Sequence, residues 1–235
     1  MPQQIISCDE TQCFIVAEHF LAYFSEDHRV NNFDRVLIDI SRVYEEAVLM
    51  GALAASKYIQ PPVEPRVTFD VDLILPDRDF NDFLNDDLPP AKREALDTYF
   101  ETSDSANHSL RHRRTRLYVD FTSSVSRPIS AKLLRRVLEN PDETTNTLTL
   151  DDRSIRILKP ELIIAMKLHR YAKDPRSEKA LSDRLDIVKM LKTYHRQPEV
   201  LDPEQIRNML RRREVKYFDE MREDVTCEMC GGRQN

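Results

Sequence analysis

Two aspartates, Asp70 and Asp72, lie two residues apart in the segment 66–75 and are the side chains best placed to do chemistry. A strand displays every second residue on the same face, so this segment places Thr68 beside both aspartates. The opposite face is apolar and predicts a core; it consists of Val67, Phe69, Val71 and Leu73. Two carboxylates roughly 7 Å apart on one strand face repel each other. Because a hard divalent cation between them would relieve that repulsion, the segment predicts a metal site.

A third carboxylate, Asp120, lies in the segment 117–122, where apolar and polar residues alternate as in a strand. Taken alone, Asp120 is better explained as a strand-end residue satisfied by backbone or basic neighbours. If its strand pairs beside 66–75, however, three carboxylates converge on one face. That combination predicts a two-metal site, in which Mg²⁺ ions hold the phosphates of a nucleotide for in-line displacement.

Gly51 is the interior glycine of a chain that has 3, the others being Gly231 and Gly232. It follows the apolar run 46–50 and precedes the helix-forming residues 52–58, an order that predicts strand, tight turn and helix. A glycine there permits a positive φ or the close approach of a ligand. The free N–H groups of the following helix would suit a triphosphate. A simple tight turn is the alternative.

These residues need a sheet to hold them, and the rest of the chain predicts one. Strand patterns occur at 46–50, 66–75 and 117–122, and a hairpin is expected from Asn146 to Leu158 with its turn at 151–153. Helices are expected at 12–24, 33–44, 52–58, 90–100, 129–139, 160–173, 177–194 and 203–213. The fold class is α/β (α+β), a small mixed sheet with flanking helices followed by a helical C-terminal domain. The expected divisions are 1–32 (helical segment), 33–158 (core), 159–216 (helical domain) and 217–235 (flexible tail).

Composition limits the classes of protein. Of 235 residues, 40% are hydrophobic, enough for a sizeable core, and the formal charge of −6 argues against a generally basic nucleic-acid binder. No apolar run approaches the roughly 18 residues of a membrane span. Because Met1-Pro2-Gln3-Gln4 lacks a basic start, a cytoplasmic location is expected.

Three motifs taken together resemble the nucleotidyltransferase superfamily, the fold of polymerase beta. They are Met50-Gly51-Ala52, then Arg66-x-Thr68-x-Asp70-x-Asp72, then Tyr118-Val119-Asp120-Phe121. In that family a first strand ends in Gly-Gly or Gly-Ser, a following strand bears Asp-x-Asp, and a later strand supplies the third acid. Within it, the Asp-x-Asp strand looks most like AbiEii-type toxins and related uncharacterised bacterial proteins. Their downstream lysine, arginine and paired aspartates match the segments 163–168, 176–179 and 183–187, so the resemblance spans roughly residues 45 to 191.

The resemblance implies a role for each matched residue. Asp70, Asp72 and Asp120 would bind two Mg²⁺ ions, and Asp120 could also help to deprotonate the attacking hydroxyl. Lys167 would reach the phosphates or assist the nucleophile. The nucleotide-binding candidates are Gly51, Ala52, Ser56, Arg66, Thr68 and Asp183. Two departures from the family pattern stand out. Ala52 removes a hydroxyl from the phosphate site. The third acid is assigned to Asp120 by pattern alone, and other acidic residues could take that position: Asp77, Asp79, Asp151 and Asp152.

The reaction so implied moves an NMP from an NTP to a hydroxyl or other acceptor and releases pyrophosphate. A toxin-like relation adds a tRNA end or a protein side chain as acceptor, and a cognate antitoxin protein as partner. The alternatives are an inactive nucleotide-binding or regulatory module of the same fold, and a zinc-organised interaction protein. The zinc alternative depends on Cys227 and Cys230, with Cys8 and Cys13 able to complete the site, but a reduced tail and a buried Cys13 are favoured.

The downstream residues also have plain structural interpretations. Lys167 lies in an amphipathic helix, where a lysine is usually solvated. Asp183 and Asp186 could pair with Lys179, Arg184 or Lys189 on their own helix. The basic stretches 111–116 and 207–216 could receive a phosphate-rich partner, although a solvated face is the commoner explanation and is favoured for 207–216.

Overall fold

The structure, a computed structural model, describes residues 32–102, 108–126, 131–151, 153–196 and 201–229. Seven strands form one mixed sheet within these residues: β1 (Val48–Met50), β2 (Asp70–Ile74), β3 (Phe100–Thr102), β4 (Ser109–His112), β5 (Tyr118–Thr122), β6 (Thr145–Leu150) and β7 (Arg153–Leu158). Their order across the sheet is β3-β4-β5-β2-β1-β7-β6. The β2–β5 and β1–β7 pairs are parallel, and the other four pairs are antiparallel.

Helices flank the sheet and make up most of the chain after it. They are α1 (Asn32–Ser41), α2 (Gly51–Tyr58), α3 (Asp77–Leu84), α4 (Pro90–Tyr99), α5 (Ala131–Glu139), α6 (Pro141–Thr144), α7 (Pro160–Lys173), α8 (Glu178–Arg196), α9 (Pro203–Met209) and α10 (Arg212–Met229). Among the described residues, no helix combines the length and apolar character needed to cross a membrane. The α/β fold class predicted from the sequence is confirmed.

The centre of the sheet is apolar, and this fixes the position of the polar residues on it. All three residues of β1 are buried, whereas in β2 the buried Val71 and Leu73 alternate with half-buried Asp70 and Asp72. Helix α2 leaves β1 directly and packs against β2, α7 and α8. The end of β1, the aspartate face of β2 and two long helices therefore meet at one place.

Several sequence predictions are confirmed element by element. The hairpin of β6 and β7 turns at Asp151, which has a φ of 52°. Pro160 and Pro203 begin α7 and α9, since the missing N–H of a proline costs nothing at the first helical position. The 12–24 prediction lies outside the described residues.

Other predictions need correction. The strand expected over 66–75 begins at Asp70, because β5 first pairs with β2 there. Val67 and Phe69 are therefore 43% exposed and do not continue the apolar face. Helix α3 and strands β3 and β4 were not predicted, because buried residues such as Phe80 and Leu110 lie in strongly polar stretches.

The C-terminal part also differs from the prediction. The helix expected over 203–213 is interrupted after Met209, and α10 continues to Met229, through the region predicted to be a flexible tail. Phe218, Met221 and Val225 recur at helical spacing and are buried, and α10 packs against α7 and α8. Cys227 is exposed on α10, while Cys8, Cys13 and Cys230 lie outside the described residues.

Candidate metal and nucleotide site

The pairing of β2 with β5 brings the three predicted carboxylates together. The two strands are parallel, and Asp72 lies directly opposite Asp120 while Asp70 lies opposite Tyr118. One carboxylate oxygen from each of the three aspartates lies within 4.8 Å of the others. The convergence predicted from the sequence is therefore confirmed. Three hard oxygen donors at this separation fit a divalent cation such as Mg²⁺.

Neighbouring hydroxyl groups orient two of these acids. The Thr68 hydroxyl donates a 2.8 Å hydrogen bond to Asp70 Oδ1. The Ser109 hydroxyl donates to Asp120 Oδ1, because β4 pairs with β5 so that Ser109 lies opposite Asp120. Ser109 was missed by the sequence reasoning, since its strand was not predicted. Such hydrogen bonds fix the direction in which a carboxylate presents its remaining lone pairs.

Gly51 lies against the carboxylate of Asp72. Its φ is +75°, a conformation that favours glycine. A Cβ at this position would lie 1.9 Å from Asp72 Oδ2 and 2.8 Å from Asp72 Cβ, so no other residue fits without displacing the aspartate. The positive φ predicted for this glycine is present, and the group that approaches it closely is the side chain of Asp72. The close approach of a ligand stays a prediction.

Helix α2 starts at this glycine, so its first turn lies beside Asp72. The preceding residue, Met50, supplies no side-chain cap. Ala52, in the first turn, lines a cavity that also reaches Asp70 and Asp72. Ser56 does not join them, because its hydroxyl donates a 2.7 Å hydrogen bond to Leu53 O within α2. The part of α2 that adjoins the acids is therefore its N-terminal turn.

A buried ion network connects α7 and α8 beside the acids. Lys167 is 3% exposed, and its Nζ lies 3.1 Å from Asp183 Oδ1 and 2.8 Å from Asp186 Oδ2. Arg66, from the segment before β2, donates to both oxygens of Asp186 at 2.9 and 3.0 Å. The Arg170 guanidinium donates to both oxygens of Asp183. Three cations therefore compensate two buried carboxylates, and the network carries one excess positive charge.

This network corrects two of the interpretations made from the sequence. Lys167 is buried and paired rather than solvated. Asp183 and Asp186 pair with residues of other elements, and not with Lys179, Arg184 or Lys189 of their own helix. The family resemblance implies that Asp183 orients Lys167 or lines the nucleotide pocket, and in the structure Asp183 contacts Lys167 and lines the cavity beside the acids. The local alternative fails because both aspartates lie on the side of α8 that faces α7.

Arg170 is a site residue that the sequence reasoning missed. Burial lowers the pKa of its guanidinium, but the hydrogen bonds and charge of Asp183, together with the charges of Asp72 and Asp186, outweigh this and raise the pKa above its usual value. Arg170 is therefore charged, and it is close enough to Asp72 for the two to attract. Its spacing of three residues from Lys167, which places both on one helix face, was the available signal.

The acids and the cations share one cavity of about 260 Å³. Its lining residues are Ala52, Arg66, Asp70, Asp72, Lys167, Arg170, Glu178, Lys179, Ser182 and Asp183. Four of the predicted site residues do not line the cavity: Gly51, Ser56, Thr68 and Asp120. Three of these, Gly51, Thr68 and Asp120, lie next to the aspartates that do line it, whereas Ser56 does not. The cavity thus has an acidic wall from β2 and a second wall from α7 and α8, on which three cations outnumber the carboxylates of Glu178 and Asp183.

This fold is shared with a known class of protein. No protein-family model matches the chain, and no curated protein matches it. Among solved structures, it is similar to an antigenic nucleotidyltransferase-like protein from Paracoccidioides brasiliensis, with 15% identity, a TM-score of 0.53, and coverage of 84% of this chain and 91% of that one. The protein therefore has the fold of a nucleotidyltransferase-like protein.

A second structure that resembles it is that of the antibiotic-resistance factor ANT(2'')-Ia. That match has 12% identity, a TM-score of 0.40, and coverage of 95% of this chain and 100% of the other. The fold predicted from the sequence is that of the first of these two structures. The narrower AbiEii-type relation stays a prediction.

Proposed function

We propose that the protein is a Mg²⁺-dependent nucleotidyltransferase that moves an NMP from an NTP to an acceptor hydroxyl and releases pyrophosphate. The observation that carries the proposal is the bipolar cavity, because two of the three clustered carboxylates, Asp70 and Asp72, line it together with lysine and arginine side chains. A nucleoside triphosphate with its divalent ions is the kind of ligand that needs both walls, because cations bound by the acids and side-chain cations both contact its phosphates.

Asp70, Asp72 and Asp120 would hold the divalent ions. When bound, those ions supply charge stabilisation to the phosphoryl group and to the leaving pyrophosphate. Gly51 leaves the space that the Asp72 carboxylate occupies, and the Thr68 and Ser109 hydroxyls orient the other two acids. The acid cluster is therefore held in place from three sides before any ligand arrives, as preorganised catalysis requires.

The phosphates would lie against α2, α7 and α8. The N-terminal backbone of α2 at Gly51 and Ala52 offers donors and the positive end of the helix dipole. Arg170 and Lys179 line the cavity as cations. The resemblance implies that Lys167 reaches the phosphates or assists the nucleophile. Because Asp183 and Asp186 both hold its Nζ, we propose that it acts on the phosphates as a fixed charge, with Arg66 keeping Asp186 in place.

The size of the cavity agrees with this placement. Pockets that enclose a whole drug-sized ligand have volumes of about 300–1,000 Å³, and this cavity measures about 260 Å³. It would take the polyphosphate, while the sugar and base lie outside it. Asp120, at the side of the cluster away from the cavity, would accept the proton of the attacking acceptor hydroxyl.

The resemblance to AbiEii-type proteins adds a narrower hypothesis. It gives a tRNA end or a protein side chain as acceptor, a role as a toxin, and an antitoxin protein as partner. An inactive nucleotide-binding module of the same fold is the second candidate, and Ala52 in place of the usual polar residue is the feature that favours it.

Two measurements on the full chain test the proposal. Each α-labelled NTP is incubated with the protein, Mg²⁺ and cell extract, and transfer of label to a macromolecule or small molecule is measured. Thermal unfolding is then followed with EDTA, with Mg²⁺, and with Mg²⁺ plus NTP. We expect label transfer and a Mg²⁺-dependent rise in Tm for the wild type.

Asp70→Asn should abolish both effects, because it removes one of three metal ligands. Asp87→Asn is the matched control, since Asp87 is exposed and lies outside the cluster. Binding of Mg²⁺ and NTP without label transfer would support the inactive module. Equal Mg²⁺ responses from the wild type and Asp70→Asn would contradict the metal site itself.

A further inference from the structure

The face of the sheet that carries the acids continues beyond Asp120 onto β4. Tyr118 and Asp120 are two residues apart in β5 and therefore share a face. Tyr118 lies opposite Asp70 on one side and opposite Arg111 on the other, while Asp120 lies between Asp72 and Ser109. Tyr118 and Arg111 thus lie directly beside the acid cluster, on the side opposite β1.

Arg111 and Tyr118 form a cation–π pair on this face. The guanidinium carbon of Arg111 lies 5.6 Å from the centroid of the Tyr118 ring, and both residues are half-buried. Arg111 Nε also donates a 3.3 Å hydrogen bond to Arg116 O. The pair presents an aromatic ring and a positive charge next to Asp120.

Two other arginines of the basic stretch share one carboxylate, that of Glu101. Glu101 lies opposite Arg111 in the strand register, but its carboxylate is 2.7 Å from Arg116 and 3.8 Å from Arg113. In the part of the chain that the structure describes, Arg111 has no carboxylate within ion-pair distance. The positive charge available on this face is therefore that of Arg111. Arg114 is exposed and lies in the turn beyond β4.

The position of the pair assigns it to the acceptor. The cations proposed to contact the triphosphate are Arg170 on α7 and Lys179 on α8. Both helices pack against α2, which in turn packs against β1, so these cations lie on the β1 side of the acids. The pair lies on the other side of the acids, beside the carboxylate proposed to accept the acceptor proton. We infer that Tyr118 and Arg111 bind the acceptor, and that this acceptor is the end of a single-stranded nucleic acid; the inference rests on the proposed function.

The chemistry of the pair selects that class. A terminal base stacks on the Tyr118 ring, and the phosphate behind it pairs with the Arg111 guanidinium, the combination by which single strands are commonly held. A polycationic small molecule is repelled by Arg111. The terminal hydroxyl oxygen forms a bond to the α-phosphorus, the bond from that phosphorus to the β-bridging oxygen breaks, and pyrophosphate leaves. The hydroxyl proton passes to Asp120.

Fluorescence anisotropy with a labelled 12-nucleotide RNA and a matching DNA strand, both with free 3′ ends, tests the inference. Tyr118→Leu should weaken binding about tenfold, because stacking of one base is lost, while Tyr118→Phe should bind as the wild type does. Arg111→Gln should reduce the slope of log K against log salt by roughly 0.7, the value for one phosphate contact on a single strand.

Arg114→Gln is the control for Arg111, since it makes the same charge change outside this face. Equal slopes for the two glutamine variants would overturn the inference, because binding would then follow net charge alone. Tight binding by Tyr118→Leu would overturn it as well. Binding of NTP and Mg²⁺ is measured on the same samples to separate the two proposals. If the protein binds Mg²⁺ and NTP but neither oligonucleotide, the acceptor inference is refuted and the proposed function stands.

Discussion

Gly51→Ala should destabilise the protein by about 2–3 kcal/mol, and the structure shows why. Holding an alanine at a φ of +75° costs roughly 1–2 kcal/mol, because the left-handed region is unfavourable for residues with a Cβ. The new Cβ would lie 1.9 Å from Asp72 Oδ2 and 2.7 Å from Asp72 Cγ, so the carboxylate must rotate. An off-rotamer side chain adds about 0.5–1.5 kcal/mol.

The two contributions can be separated with a second substitution. Asp72→Ala removes Cγ and Oδ2 but keeps the Cβ of residue 72, which would lie 2.8 Å from the Cβ that Gly51→Ala introduces. In the Asp72→Ala background the cost of Gly51→Ala should therefore fall by about 1 kcal/mol while the backbone cost persists. Urea unfolding of the four proteins in EDTA measures this coupling free energy.

A coupling free energy below about 0.3 kcal/mol would refute the reasoning, because the aspartate would then not be the obstacle. Isothermal titration with Mn²⁺ adds an independent check. Because the rotated Asp72 no longer faces the other two acids, Gly51→Ala should also weaken cation binding, and wild-type affinity in this variant would contradict the close packing of residue 51 against Asp72.

Three further outcomes are expected. Lys167→Met should lower the free energy of unfolding by about 3–5 kcal/mol in urea titrations, because it leaves two buried aspartates short of a partner; a loss below 1 kcal/mol would contradict the buried network. Ser109→Ala should weaken Mn²⁺ binding about tenfold by removing the donor to Asp120, and unchanged affinity would exclude that role. Burial raises the pKa of Tyr58 from 10.0 to about 12, so the stability that its neutral hydroxyl contributes is present below pH 10 and is lost as the pH rises towards 12. Tyr58→Phe should therefore lose less free energy of unfolding than the wild type between these pH values. Parallel profiles of stability against pH for the two proteins would contradict the assignment.

The acid cluster could be predicted because its signals are local. Alternation along 66–75 and 117–122 places Asp70, Asp72 and Asp120 on strand faces, and the mutual repulsion of carboxylates favours a shared cation. The special backbone conformation of Gly51 could be predicted for a similar reason, because a single glycine between a strand and a helix is a local signal. The sequence could not show that the group approaching Gly51 is Asp72, because that contact depends on the pairing of β1 with β2.

The basic wall could be predicted only in part, because its contacts join distant segments. Arg66 and Asp186 are separated by 120 residues, and the sequence pattern offered Asp186 nearer partners on its own helix. Arg170 carried no signal beyond its spacing from Lys167. Ser109 was hidden because its strand has a single apolar residue, Leu110, among polar neighbours. In each case the packing of whole elements, rather than local preference, decides the contact.

The order of the two walls along the chain has a consequence for synthesis. The three acids precede residue 121, whereas Lys167, Arg170 and Lys179 follow residue 166, and β7, the parallel neighbour of β1, also comes late. A ribosome therefore synthesises the carboxylates well before Lys167, Arg170 and Lys179, whereas Arg66 is made before the carboxylates. A chain that stops between them has the three acids and, of the cations that line the cavity, Arg66 alone, so the charge balance of this pocket is reached only after α7 and α8 have been made.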